Sequence, residues 1–128
     1  MLLLSESSVK YPSKGVNLMT EYIQVFTTTD TKENARQIAK RIVEKNLAAC
    51  AQIIGPISSI FWWKNNINEE EEWLIIIKSK KNLYDDLEHA IMKVHKYEIP
   101  EILAVPVLAG AKSYLEWLDG EVEGRDSK

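Results

Sequence analysis

One cysteine, Cys50, is all the chain has, so no internal disulfide can form. Small secreted domains lean on such cross-links, and their lack makes the cytoplasm the expected compartment. Cationic residues are also few. Sixteen Lys and Arg stand against nineteen Asp and Glu, for a net charge of −3, and no basic block interrupts the mild acidity. A nucleic-acid surface needs such a block, so nucleic acid is not an expected partner. Long apolar runs are missing. Three leucines follow Met1 with no basic residue before them, far short of a signal-peptide core. The runs at 73–77 and 102–109 are much too short to span a bilayer, so no membrane is expected either. No Gly-rich phosphate loop and no zinc-protease motif occurs, and the residue order suggests no Ser/His/Asp or Cys/His set. The chain does not read as an enzyme.

What is present is an ordinary globular composition, 45% hydrophobic and 27% charged over 128 residues, enough for one domain with a real core. Residues 1–20 mix Ser, Lys, Pro and Gly without periodicity and read as a disordered leader; 121–128 read as a flexible tail. The domain between them, 21–120, opens with a β-branched, aromatic strand over 22–28. Asp30 and Glu33 form a capping box before a helix. Its stripe is Ala35, Ile38, Ala39, Ile42 and Val43. An extended segment from Leu47 to Trp63 is broken only by Gly55-Pro56, and a polar turn over 64–68 returns it as a strand over 70–79. A second helix starts at Asn82, with Tyr84, Leu87, Ile91 and Val94 inward. A fourth strand covers 102–108, with Pro106 marking an edge or a bulge. Ser113 and Glu116 cap a last short helix. The order βαββαβ plus a C-terminal helix predicts an α+β, ferredoxin-like sandwich.

Such a sheet carries helices on one face, so its strands should alternate apolar and polar. These do not. Trp73, Ile75 and Ile77 oppose Leu74 and Ile76, while Leu103, Val105 and Val107 oppose Ile102, Ala104 and Leu108. The second face needs a cover, and a tight homo-oligomer supplies one. Length points the same way. An unbroken strand from Leu47 to Trp63 would reach roughly 55 Å, against a diameter of about 36 Å for a compact chain of this size. The hairpin must bend or project, and its tip carries Phe61, Trp62 and Trp63. Monomers seldom leave such a cluster in water.

The segments Leu47-Ala48-Ala49-Cys50-Ala51, Phe61-Trp62-Trp63 with Ile67, Ile77-Lys78-Ser79, His95 to Glu101 and Tyr114 to Leu118 together resemble the CutA family of divalent-cation tolerance proteins. The resemblance covers about Tyr22 to Leu118. It implies a ferredoxin-like homotrimer whose hairpins and C-terminal segments pair between subunits, with Phe61, Trp62, Trp63 and Trp117 at the interface. It also implies a scaffold or sensor linked to divalent metals, copper among them. The chain departs from the family pattern in three respects. Lys96 replaces the proline after the histidine, which lets the second helix run on by a residue or two. Asn65 replaces a glycine after the hairpin tryptophan. Of a copper-linked thiol and paired histidines, Thr27 and Val94 stand at matching places, so only His95 remains.

Each candidate has two readings. Cys50 reads as a packed, inert thiol before it reads as a metal ligand. His95 can serve the negative end of its helix dipole or bind copper or zinc, with Glu101 as a carboxylate partner. No cofactor is required, and two protein ligands would hold a metal only weakly. Glu69–Glu72 reads as a solvated strand entry, apart from Glu72, which matches a family position beside the hairpin. Lys78, Tyr97 and Glu72, near Glu101, line an expected subunit cleft for an anion, a metal or a metabolite. A structural ion pair of Lys78 with a glutamate explains the same residues. The alternative function is a small-molecule-binding signalling trimer of PII-like type with no direct metal role. Other users of this fold are less well matched. An acylphosphatase needs an arginine in its phosphate loop, an RNA-recognition module needs stacking residues on its third strand, and a copper chaperone needs Cys-x-x-Cys.

Overall fold

Alternation along β1 (Tyr22–Thr29) sends Ile23, Val25 and Thr27 to one side, where all three are buried. The computed structural model describes residues 21–123; the segments read as leader (1–20) and most of the tail lie outside them. Two helices cover that side. In α1 (Lys32–Glu44) the predicted stripe packs inward through Ala35, Ile38, Ala39 and Ile42, with Val43 at its margin. In α2 (Tyr84–Val94) Leu87, Ala90 and Ile91 do the same. Ile75 and Ile77 of β3 (Asn66–Lys80) complete this core. Each such aliphatic side chain contributes about 1.5–3 kcal/mol by leaving water.

The strands run β2 (Cys50–Trp63), β3, β1, β4 (Ile102–Pro106), with every neighbouring pair antiparallel. Each βα crossover passes over one intervening strand, which is the ferredoxin-like order. β4 is an edge, and this accommodates Pro106 at its end; the Val107 N–H then bonds the Tyr22 carbonyl. No described helix is long and apolar enough to cross a membrane.

Several local details differ from the sequence reading. The α1 cap is Thr31, whose hydroxyl accepts from the Asn34 N–H at 3.0 Å, while the Asp30 carboxylate takes the Asn34 side-chain amide at 2.6 Å. Both residues are capable caps, and the asparagine divides them. α1 closes with Asn46 at φ 62°, and its N–H and that of Leu47 bond back to Val43 and Ile42, a Schellman ending. The expected five-residue hairpin turn is two residues, Lys64 (φ 51°) and Asn65 (φ 67°), between the paired Trp63 and Asn66. The glutamate run is therefore strand and not strand entry. At Gly55 the register shifts between Ile54 and Ile57, and the Trp73 ring lies over the backbone so closely that a β-carbon would sit 2.5 Å from it. A 3₁₀ turn (Lys81–Leu83) precedes α2, which stops at Val94 in spite of Lys96. The last helix, α3 (Lys112–Glu123), starts before Ser113, so that serine is not its cap, and it runs past Gly120.

Candidate functional site

The arrest of α2 builds the site. His95 is extended (φ −75°, ψ 143°), held by bonds to both ring nitrogens. Nε2 donates to the Thr28 carbonyl at 2.7 Å, and Nδ1 accepts from the Tyr97 N–H at 3.0 Å. These partners fix the neutral Nε2–H tautomer. Burial lowers the His95 pKa against the opposing pull of the Thr28 carbonyl, Asp30 and Glu72. The imidazole ring lies 5.0 Å from that of Tyr97, and the Tyr97 hydroxyl donates to Glu72 Oε2 at 2.7 Å. The Tyr97 phenol is pushed well up by burial first and then by its bond to Glu72. Glu101 stands nearby, its carboxyl raised by burial and by the Glu72 charge.

A relay thus runs from the end of β1 through His95 and Tyr97 to the hairpin arm. Between that arm and the Tyr97 loop lies a groove of 960 Å³. Phe61, Trp62, Trp63 and Tyr97 line it together with Asp30, Glu70, Glu71, Glu72, Glu98 and Glu101, and Lys96 is the only cation among the described lining residues. The groove is acidic and aromatic. Asp30 was read from the sequence only as a cap, and Glu70 and Glu71 only as solvated; their shared edge depends on the hairpin register.

The cleft set does not hold together within one chain. Tyr97 and Glu72 meet, but Lys78 sits six residues farther along β3, roughly 20 Å away at strand spacing. Lys78 Nζ bonds Gln52 Oε1 at 2.6 Å instead of a glutamate. Cys50 pairs in register with Lys78, half-buried beside the Tyr114 hydroxyl, and is remote from His95. Among the described residues no three His, Cys, Asp or Glu side chains gather to hold a metal ion. The proposed interface residues are all exposed: Phe61, Trp62 and Trp63 on the arm, and Trp117 on α3, where it packs 5.4 Å from Tyr114.

Fold and site define a ferredoxin-like sandwich with a projecting hairpin arm and an acidic groove at its base. The family model for CutA1 divalent ion tolerance protein matches residues 23–121, and the chain belongs to that family. It is 34% identical over 116 residues to the protein from Oryza sativa subsp. japonica named Protein CutA 1, chloroplastic, covering 91% of this chain and 64% of the relative. To Protein CutA, chloroplastic, of Arabidopsis thaliana it is 34% identical over 115 residues, covering 90% and 58%. The chain thus spans about three fifths of these plant relatives. Among solved structures, that of the periplasmic divalent cation tolerance protein CutA from Archaeoglobus fulgidus aligns with TM-score 0.78 and 36% identity, over 80% of this chain and 99% of the other. The family model and the Archaeoglobus fulgidus protein are named for divalent-ion or divalent-cation tolerance and not for a catalysed reaction.

The names also correct the compartment. The cytoplasm followed from one cysteine and the lack of a signal-peptide core, yet relatives of the same fold are described as chloroplastic or periplasmic. A targeting address is read by its receptor separately from the fold, so the chemistry of the domain does not carry it.

Proposed function

We propose that the chain works as a homotrimeric, non-catalytic scaffold in divalent-cation tolerance. One observation carries this reading. The side of the sheet away from α1 and α2 shows Phe26, Leu74 and Ile76 half-buried, with Ile54 (48%), Leu103 (59%) and Val105 (42%) exposed. Phe26 pairs in register with both Ile76 and Leu103, and Leu74 with Ile54, so these side chains form one continuous apolar face. None of the described elements covers its centre. The arm beside it holds Trp62 at 70% exposure. Patches of this kind mark protein–protein contacts. Two different patches, the face and the arm, suit a head-to-tail contact that closes into a ring. The number three comes from the family resemblance.

The metal role is a weak one in this reading. Both His95 nitrogens are engaged, so copper or zinc reaching Nδ1 must displace the Tyr97 amide, and Cys50 stands too far away to help. The groove favours the second reading, a signalling trimer that binds a small molecule, because its size and aromatic walls suit an organic ligand. Sedimentation velocity on the wild type and on Leu103→Asp tests the scaffold. A charge in the open face should release single chains that keep their helix-side core. An unchanged sedimentation coefficient in Leu103→Asp would remove this face from the interface.

A further inference from the structure

We propose that α3 is a strap docked over one end of the open sheet face separately from the core, latched there by the buried Lys80, and that the latch sets its aromatic pair for a neighbouring copy. The second half rests on the open face being the subunit interface; the first half does not.

The position of α3 is the first reason. Tyr22 and Lys80 are partners in register, and alternation puts both on the side of Phe26 and Ile76, away from α1 and α2. Asp119 of α3 reaches both, so the helix lies across that end of the face. Leu118 and Val122 turn inward with it and are buried, yet neither belongs to the helix-side core. A linker exposed from Leu108 to Ala111 joins β4 to α3. The helix can therefore lift while the sheet, α1 and α2 keep their contacts.

The chemistry of the dock is the second reason. Lys80 is 5% exposed, and its ammonium lies 2.8 Å from Asp119 Oδ1, 3.3 Å from Glu21 Oε2 and 5.6 Å from the Tyr22 ring centroid. The Tyr22 hydroxyl donates to Asp119 Oδ2 at 2.8 Å. Burial opposes the Asp119 charge, but Lys80 and the Tyr22 hydroxyl hold its pKa below the ordinary aspartate value. A buried ammonium is costly unless it is paired, and Asp119 ties that pairing to α3. Left unmatched, Lys80 needs water, and water reaches it when α3 lifts. The same helix carries Tyr114 and Trp117, both exposed, with ring centroids 5.4 Å apart. Docking fixes where that pair faces.

Amide exchange read by mass spectrometry on the full-length chain tests the strap. Each variant is compared with its parent in the Leu103→Asp background, which should supply single chains, so that no neighbour adds protection. Asp119→Asn leaves the buried ammonium facing a neutral amide, and exchange over 112–123 should become about tenfold faster or more while α1 and α2 keep their rates. Lys80→Met removes the charge that needs water, so the double variant should exchange more slowly over 112–123 than Asp119→Asn alone. Unchanged exchange in Asp119→Asn would overturn the latch. So would equal acceleration in α1 and α2, which would make α3 part of one cooperative unit, or a double variant no slower than Asp119→Asn. With Leu103 restored, light scattering on dilution tests the aromatic pair, and Asp119→Asn should dissociate at a concentration about tenfold higher or more than the wild type. A variant that lifts α3 and still resists dilution as the wild type does would remove the pair from the interface and overturn the second half. A wild type of one chain's mass sinks the scaffold and leaves the latch to the exchange rates, whereas a trimer with an unresponsive α3 sinks only this inference.

Discussion

Tyr97→Phe isolates the bond that ties the loop to the hairpin arm. The substitution removes one oxygen and leaves the ring beside His95, whose contact at 5.0 Å needs no hydroxyl. Glu72 then loses the donor at 2.7 Å while remaining 7% exposed. Hydrogen bonds to a charged group contribute about 1.5–3 kcal/mol net, and an unpaired buried acceptor adds its own desolvation cost, so a loss of about 2–3 kcal/mol is expected. Urea unfolding followed by far-UV circular dichroism reads it as a lower midpoint with an unchanged slope. The comparison must be made at one protein concentration, because assembly contributes to apparent stability. Glu72→Gln should cost less, since the amide oxygen still accepts the Tyr97 bond. In the double variant, Tyr97→Phe should then cost less than it does alone. A loss below about 0.5 kcal/mol in Tyr97→Phe would mean that Glu72 is solvated or otherwise paired, and the relay would fail.

Thr27 is fully buried and its hydroxyl has no partner among the described residues; Thr27→Val should therefore raise stability by about 1–2 kcal/mol, and a fall would show the hydroxyl to be satisfied by water. Gly55→Ala puts a methyl group into the Trp73 ring and should cost about 1–3 kcal/mol with a changed tryptophan spectrum; a neutral result would mean that the ring moves freely. The lowered His95 pKa means that the folded ring binds fewer protons than the unfolded one. Its contribution is complete above the ordinary histidine value near 6.5 and fades as pH falls through the lower folded value. Wild type should lose more stability than His95→Gln between about pH 7.5 and 5.5, and parallel losses would place the acid-sensitive group elsewhere.

Much of the helix-side core was legible because periodicity reports it directly, as in the α1 stripe and the alternation of β1. The open face was legible for the same reason, from Leu74 and Ile76 lying between apolar neighbours. The hairpin was misjudged at its tip. Asn-rich sequence reads as turn, and nothing in a lysine announces the positive φ that Lys64 adopts. His95 was misread because its partner is a backbone carbonyl 67 residues away, which no side-chain pattern displays. Lys80 was not singled out at all, and it is buried with Asp119 at 2.8 Å and Glu21 at 3.3 Å. Glu72 was singled out by family resemblance, and Lys78, Tyr97 and Glu101 by their places at a strand end and its neighbouring turn; within one chain Lys78 stands apart from the others.

Light scattering coupled to size exclusion tests the central claim, that a scaffold is assembled through the open sheet face and the aromatic arm. With dilution from about 100 to 1 μM, the account predicts a constant mass of three times the 14.7 kDa of one chain. A mass of one chain at any of these concentrations would contradict it.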